Sequence, residues 1–282
     1  FPFDNRATLL SAGGVIENIA QYCKQVGVNV GIIYLPDSTL YSQVVAEFTF
    51  DKTDACVDEN FNLPLFLRHT NRFSYKKERV PSGVVDELMA MNIGPPNVSF
   101  LQNPATIHAI GRQVQDAGEI RFQTKEVHEW LEKSLRFTPE QIRSGDGLDI
   151  RTLDLPPGGG LLLRFISRWS RMKRLNRIGT HKMLAAIDAA PVKKAPGIVA
   201  ITGRNTKLGA IEAGRLLCRA WIYLNDQGIA CHPYYVISDQ LDRLEQGSVP
   251  AALVPRAEKV RKECRQLFDL KQGDTLMMLL RV

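Results

Sequence analysis

AGGVIENIAQYCKQVGV (residues 12–28) and AGRLLCRAWIYLNDQGI (residues 213–229) carry one pattern at opposite ends of the chain. Superposing them pairs Ala12, Gly13 and Gly27 with Ala213, Gly214 and Gly228. In both stretches the apolar residues recur at spacings of three and four, which predicts amphipathic helices that end at a left-handed glycine. Any two buried helices that end in glycine look alike, but paired small residues also admit the close approach of another backbone or a flat ligand. We therefore predict that these two helices pack together.

The repeat also predicts the organisation of the whole chain. Helices separated by a domain length suggest two related halves about a pseudo-twofold axis, packed as in a dimer. The segments VNVGIIYLP, APGIVAITG and TLMMLLRV are typical of buried strands, and LYSQVVAEFTFD has the alternation of a strand. Helices are also predicted from a cap at Ser82 to Ala90, and from about Ala105 to Ala117 with an end at Gly118. We expect an α+β fold of antiparallel or mixed sheets flanked by helices. Residues 1–62 would be the remainder of a truncated first half, and residues 63–282 the second half.

Composition excludes some classes of protein. The 282-residue chain has a net charge of +6 and contains no run of about 18 apolar residues, so no transmembrane helix or membrane partner is expected. Its five cysteines are scattered and form no CxxC pair, and no HExxH is present. This favours a reducing compartment, the cytoplasm, and argues against a metal site. The positive charge permits an anionic partner without identifying it.

The segment LRHTNRFSYKKERVP (residues 67–81) resembles the opening of the nitroreductase-like, FMN-binding superfamily. Domains of that superfamily begin with R-R-[ST]-x-R-x-[FY], followed by a proline and a short helix. The matching residues here are Arg68, His69, Thr70, Asn71, Arg72, Tyr75 and Pro81, with a histidine in place of the second arginine. Together with the repeated helix, the chain resembles the duplicated, Acg-type branch, in which two halves in one chain imitate the usual homodimer. The segment P-S-x-x-N-x-Q-P-W, which covers part of the flavin in that branch, is absent here.

The resemblance implies a set of flavin-binding residues. Arg68 and Arg72 would offer planar guanidinium groups to the phosphate, with Thr70, Asn71 and His69 alongside. The alternative is that both arginines are solvated surface charges. CHPYY (residues 231–235) resembles the loop that presents a backbone N–H to the flavin ring. The candidates in this loop are His232, Pro233 and Tyr234.

Roles within that loop stay open at the level of sequence. The sequence is equally compatible with a structural role for His232, held by hydrogen bonds. It is equally compatible with burial of Tyr234 as one of the alternate side chains of a strand. No catalytic residue is assigned.

The function implied is FMN-dependent oxidoreduction of the nitroreductase type. Hydride or electrons would pass between NAD(P)H, or another donor, and a small planar substrate that no residue identifies. A non-catalytic flavin-binding or storage protein and a basic scaffold for anionic partners are the alternatives. No nucleic-acid partner is expected, and the protein would be a pseudo-dimeric monomer or a homodimer.

One further stretch is rich in basic residues and lacks acids. Residues 161–186 read as one amphipathic helix, and the basic residues there are Arg164, Arg168, Arg171, Lys173, Arg174, Arg177 and Lys182. PPGGG and IGTHK flank its basic part like hinges. The triple glycine lacks the features of a Walker or Rossmann loop. Residues 155–187 are therefore predicted to form a lid over the flavin, although such a helix could also meet an anionic membrane or a nucleic acid.

Overall fold

The computed structural model describes residues 5–35, 44–51 and 63–282. Its α-helices in these ranges are α1 (Arg6–Gln25), α2 (Pro64–Leu67), α3 (Ser82–Met89), α4 (Pro104–Arg121), α5 (Lys125–Ser134), α6 (Pro139–Arg143), α7 (Gly159–Ile166), α8 (Trp169–Leu175), α9 (Thr180–Lys193), α10 (Lys207–Asp226), α11 (Val236–Glu245) and α12 (Val254–Leu267). The strands are β1 (Asn29–Tyr34), β2 (Ala46–Asp51), β3 (Asn97–Leu101), β4 (Leu135–Arg136), β5 (Leu148–Asp149), β6 (Ile198–Arg204), β7 (His232–Tyr234) and β8 (Asp274–Arg281). The predicted mixture of helices with antiparallel strands is confirmed.

The central sheet has the strand order β3-β6-β8-β7, with every neighbouring pair antiparallel. Side chains along β6 alternate between two cores, because successive residues of a strand point to opposite faces. Val199 and Ile201 pack with α1, α3 and α10 on one face, and Ile198 and Ala200 pack with α4, α9, α11 and α12 on the other. The sheet is thus the middle layer between two helical layers.

The two repeated helices, α1 and α10, pack against each other, as predicted. A Cβ atom added to Gly13 would overlap the carbonyl oxygen of Ile211, and one added to Gly214 would overlap that of Leu10. The alignment of the two repeated sequences pairs Gly13 with Gly214 and also Leu10 with Ile211, so the two overlaps are equivalent. Each glycine therefore lets its helix approach the same point of the other.

The two helices also end in the same way. Gly27 and Gly228 have φ angles of 72° and 73°. The N–H groups of Val28 and Ile229 donate to carbonyls five residues earlier, at 2.8 and 2.9 Å. These bonds satisfy carbonyl groups that a helix end leaves open, and left-handed glycine makes them possible. The predicted glycine stops are confirmed.

Buried charge reinforces the packing of α1 on α10. The Glu17 carboxylate is almost fully buried and accepts from the Nε atoms of Arg215 and Arg219, both at 2.9 Å. Burial alone would raise the pKa of Glu17, but the hydrogen bonds and charges of these arginines hold it below its usual range. Glu17 is therefore an ionised link between the two helices.

Several helix predictions need correction. The single helix predicted over residues 161–186 is wrong, because α7, α8 and α9 replace it. The backbone is extended at Arg168, and Gly179 adopts a left-handed φ of 90° before α9 begins. Three short helices do not present one continuous basic face, so the sequence pattern overstated the amphipathic helix.

Two predicted helix ends were also misplaced. Gly118 does not stop α4 but lies inside it, where an added Cβ would sit 3.2 Å from the Cβ of Ala185 on α9. Close helix packing explains this glycine. Pro81, not Ser82, occupies the N-cap position of α3.

The first hairpin differs from its prediction as well. β1 pairs with β2 but alternates between exposed and half-buried residues, with Ile33 56% exposed, so it is not the buried strand expected. Part of the second predicted strand, residues 40–43, lies outside the described residues. Among the described helices, none combines the length and apolar character needed to cross a membrane.

Candidate functional site

A cavity of about 720 Å³ lies where α1 and α10 meet the end of the central sheet. Its volume falls in the range of small-molecule pockets. Small side chains of the two helices form part of its lining: Ala7, Ser11, Gly14 and Gly214. Larger side chains complete it, namely Leu10, Val15, Asn18, Arg68, Arg121, Val127, Trp130, Leu217, Cys218, Trp221, Pro233, Tyr235, Val236, Asp239, Arg243 and Met278. We call this the first cavity.

Arg68 is the notable charge in the first cavity. Its guanidinium lies 4.8 Å from the centroid of the Trp221 ring, a cation–π arrangement. No carboxylate among the described residues lies within ion-pair distance of Arg68, and its Nε is buried without a hydrogen-bond partner. A half-buried cation without a counter-ion is costly unless a ligand supplies one.

Hydrogen bonds to α10 and β7 hold the segment around Arg68. The N–H of His69 donates to Asn225 Oδ1 at 2.8 Å, and Trp221 Nε1 donates to the carbonyl of His69 at 3.0 Å. The N–H of Asn71 donates to the carbonyl of Cys231 at 2.9 Å. These contacts fix the backbone and leave the side chain of Arg68 facing the cavity.

Strand β7 lies between the first cavity and a second one of about 430 Å³, and the two cavities share Arg121, Val127 and Trp130. Because side chains alternate along a strand, Pro233 lines the first cavity, and His232 and Tyr234 line the second. Tyr235, which follows β7, also lines the first cavity. Tyr234 is largely buried, with its hydroxyl 3.4 Å from the carbonyl oxygen of Asp188. Its alternate burial in a strand, left open by the sequence, is what the structure shows.

The residues predicted to bind flavin therefore divide into three groups. Arg68 and Pro233 line the first cavity, while Arg72, His232 and Tyr234 line the second. His69, Thr70 and Asn71 line neither. The carboxamide oxygen of Asn71 accepts from the N–H of Phe73 at 2.9 Å, a bond within the segment itself. Arg68 and Arg72 consequently do not converge on one cavity.

The segment predicted to form a lid over the flavin, residues 155–187, contributes to the lining of the second cavity. Residues 153–156 and the inner side of α7, including Leu163 and Ile166, line that cavity and not the first. Gly158, at the start of α7, has a left-handed backbone conformation, which agrees with a turn at this point. Among the described residues, those of this segment therefore line the second cavity and not the first.

Sequence reasoning did not identify several side chains of the first cavity. Val127 and Trp130 of α5 and Asp239 and Arg243 of α11 were not predicted, because their positions depend on how distant helices pack. Arg243 Nε lies 3.2 Å from Asp239, so this pair is internally neutralised. Burial nevertheless raises the pKa of Asp239. Gly14 could have been recognised, since it adjoins the repeated Ala-Gly pair.

Titratable groups in the first cavity offer no activated nucleophile. Burial raises the pKa of the Cys218 thiol to about 11, and its Sγ lies 3.2 Å from Asn18 Oδ1. Burial also raises the pKa of Tyr235, whose hydroxyl has no partner among the described residues. At neutral pH both groups are uncharged. Nowhere in the described ranges do three or more His, Cys, Asp or Glu side chains form a group able to hold a metal ion.

The first cavity can hold a planar, anionic ligand. Small side chains and the Trp221 ring offer flat apolar surface, and Arg68 supplies an unpaired cation at its edge. Guanidinium groups suit phosphate oxygens because they present several donors in one plane. The arrangement offers an anionic group a place beside Arg68, next to an apolar surface.

No protein-family model matches this chain, and no curated protein matches it. A search of solved structures found the FMN-dependent nitroreductase NfnB from Mycobacterium smegmatis, in complex with NADPH. It is 15% identical, the alignment covers 77% of this chain and 84% of that one, and the TM-score is 0.39. The FMN and NADPH-dependent nitroreductase NfnB from Sphigopyxis sp. strain HMH is 16% identical, with coverage of 77% and 85% and a TM-score of 0.37. At this level of similarity, function has to be inferred from the chain's own side chains.

Proposed function

We propose that this protein binds flavin mononucleotide in the first cavity and catalyses oxidoreduction of a small planar substrate, as nitroreductase-like proteins do. The observation that carries the proposal is Arg68, a cation without a counter-ion at the edge of a cavity with small, flat lining residues. The sequence RHTNR, in which Arg68 stands first, supports it independently. Bound flavin would supply hydride and electron transfer, with NAD(P)H as the expected donor.

The chain's own residues would bind and orient that cofactor. Arg68 would donate charge-assisted hydrogen bonds to the phosphate. Gly14 and Gly214 line the cavity beside the crossing of α1 and α10, where the ring would lie. Pro233 and Tyr235 would border the ring from β7, while Trp130 of α5 would limit the access of water. Arg72 is not included, because it lines the other cavity.

We also propose that α1 and α10 are equivalent elements of two related halves, as in the Acg-type branch. Residues 1–62 would belong to the first half, and residues 63–282 to the second. The reciprocal overlaps at Gly13 and Gly214 and the matching caps at Gly27 and Gly228 support this. If α1 takes the place of a partner's helix, as proposed, the protein should be a monomer of 31.6 kDa by light scattering. A stable dimer would contradict the proposal of a pseudo-dimeric monomer.

Flavin binding is tested by adding FMN to the purified chain and measuring bound flavin by visible absorbance after dialysis. Wild type should retain one flavin per chain. Arg68→Gln should bind about 10- to 150-fold more weakly, since it loses charge-assisted bonds of about 1.5–3 kcal/mol. Arg72→Gln is the matched control and should bind normally. A chain that takes up no flavin, or an Arg68→Gln variant with unchanged affinity, would overturn the proposal.

Enzymatic turnover is tested separately with the loaded protein. NADPH should bleach the flavin absorbance under anaerobic conditions, and a nitroaromatic or quinone should restore it. Bleaching without reoxidation by any small acceptor, or no bleaching at all, would instead indicate flavin storage.

A further inference from the structure

The second cavity adjoins the first, with which it shares Arg121, Val127 and Trp130, and the rest of its lining lies outside the proposed flavin site. It lies beyond β7, between α5, the 153–167 segment and α9. Apolar side chains dominate its wall, among them Leu131, Leu135, Leu153, Leu163, Ile166 and Ile187. A lining of this kind, with few polar groups, is typical of ligand sites.

Two arginines, Arg72 and Arg121, line this cavity. Arg72 is half-buried in its lining, and no described carboxylate lies within ion-pair distance of it. Two acids also line the cavity. Asp188 is already engaged by Arg121 at 3.0 Å, and Asp154 is exposed to solvent. Arg72 is therefore the cation that remains without a counter-ion.

The groups facing Arg72 from β7 are uncharged at neutral pH. Burial, together with the charges of Arg281 and Arg72, lowers the pKa of His232 to about 3. Burial raises the pKa of Tyr234. Neither side chain can supply the missing negative charge, so it has to come from a ligand or from solvent.

We propose that the second cavity binds a small amphipathic carboxylate, with its head group on Arg72 and its hydrocarbon chain along the leucine-rich wall. A planar carboxylate matches the paired donors of a guanidinium group. The cavity volume of about 430 Å³ equals roughly fourteen water volumes, which suits a saturated chain of about ten carbons. This inference does not depend on flavin binding in the first cavity.

Isothermal titration calorimetry with decanoate, below its micellar concentration, tests the site in the full chain. We expect saturable binding of one decanoate per chain. Octanoate should bind about 15-fold more weakly, because each buried methylene contributes about fourfold in affinity. Decanol has the same chain without the charge and should bind at least about tenfold more weakly than decanoate.

Two variants locate the ligand. Arg72→Gln should weaken decanoate binding at least about tenfold, while Arg68→Gln, on the other side of β7, should not change it. Leu163→Trp should also weaken decanoate binding by filling the apolar part, with an unchanged circular dichroism spectrum showing that the fold is intact. If Arg72→Gln fails to fold, the affinity of Leu163→Trp for decanoate still tests the proposal.

The proposal is overturned if decanoate shows no saturable binding, or if decanol binds as tightly as decanoate. Equal affinities of wild type and Arg72→Gln would overturn it as well. A parallel FMN titration separates this failure from that of the flavin proposal, because flavin retention should depend on Arg68 and decanoate binding on Arg72. If FMN displaces decanoate and needs Arg72 instead of Arg68, then the flavin occupies the second cavity, and both assignments are wrong.

Discussion

Replacing Gly13 by alanine should break the packing of α1 on α10. The added Cβ would lie 2.9 Å from the backbone nitrogen of Arg215 and would overlap the carbonyl oxygen of Ile211. Both are backbone atoms of α10, so no side chain can rotate away. The two helices would have to move apart along their crossing, where Leu9, Leu10 and Ile16 are buried.

The expected magnitude is a balance of two effects. In a helix interior, glycine to alanine ordinarily stabilises by up to about 1 kcal/mol. Overpacking of a well-packed interface costs about 1–3 kcal/mol, and more where backbone must move. Because the overlap here is with backbone, we take the upper end of that cost, about 3 kcal/mol, and expect Gly13→Ala to lower the free energy of unfolding by about 2 kcal/mol. The reciprocal geometry predicts a similar loss for Gly214→Ala.

Urea or guanidinium unfolding followed by far-ultraviolet circular dichroism measures these changes. Gly14→Ala is the matched control, since its Cβ would meet only the Cβ of Cys218, at 3.9 Å, an ordinary contact. That variant should gain up to about 1 kcal/mol from helix propensity. If Gly13→Ala is as stable as wild type, the close approach of the two helices is refuted.

Two further predictions concern buried charge. Glu17→Gln should cost about 1–3 kcal/mol at pH 7, because Arg215 and Arg219 lose their buried partner. Since the folded pKa of Glu17 lies below its unfolded value of 4.5, its stabilisation is present above that pH and lost as pH falls through the folded pKa. Urea midpoints of wild type and variant should therefore converge in acid, and a constant gap down to pH 3 would contradict the ionised link. For His232, the folded pKa of about 3 lies below the unfolded 6.5, so wild type should lose about 1–2 kcal/mol between pH 6.5 and 5. His232→Gln should lose less over that interval, whereas His108→Gln, exposed on α4, should follow wild type.

Local pattern was sufficient to predict the helices that bury a regular stripe. The repeated Ala-Gly pair and the closing glycines identified α1 and α10, their ends and their mutual contact. These features depend on residue spacing and on the left-handed conformation that glycine tolerates, and both can be read from neighbouring residues. The strands β6 and β8 were predicted for the same reason, as short apolar runs between turns.

Predictions failed where distant packing overrode local preference. Gly118 looked like a helix end but is a contact surface for Ala185, and the stretch predicted as one helix over residues 161–186 divides at Arg168 and Gly179. Local propensity does not register a neighbour that arrives from another part of the chain.

The candidate site shows the same division between sequence and tertiary structure. The motif RHTNR predicted that Arg68 and Arg72 bind one ligand together, because a sequence motif does not show that its side chains line different cavities. In the structure the two arginines line different cavities, and the alternating side chains of β7 divide between the same two cavities. The packing of α1, α5 and α9 around that strand decided which charges lack a counter-ion. It also decided which cavity each of these charges lines. Cavities form between elements far apart in sequence, so their lining is a property of the tertiary structure alone.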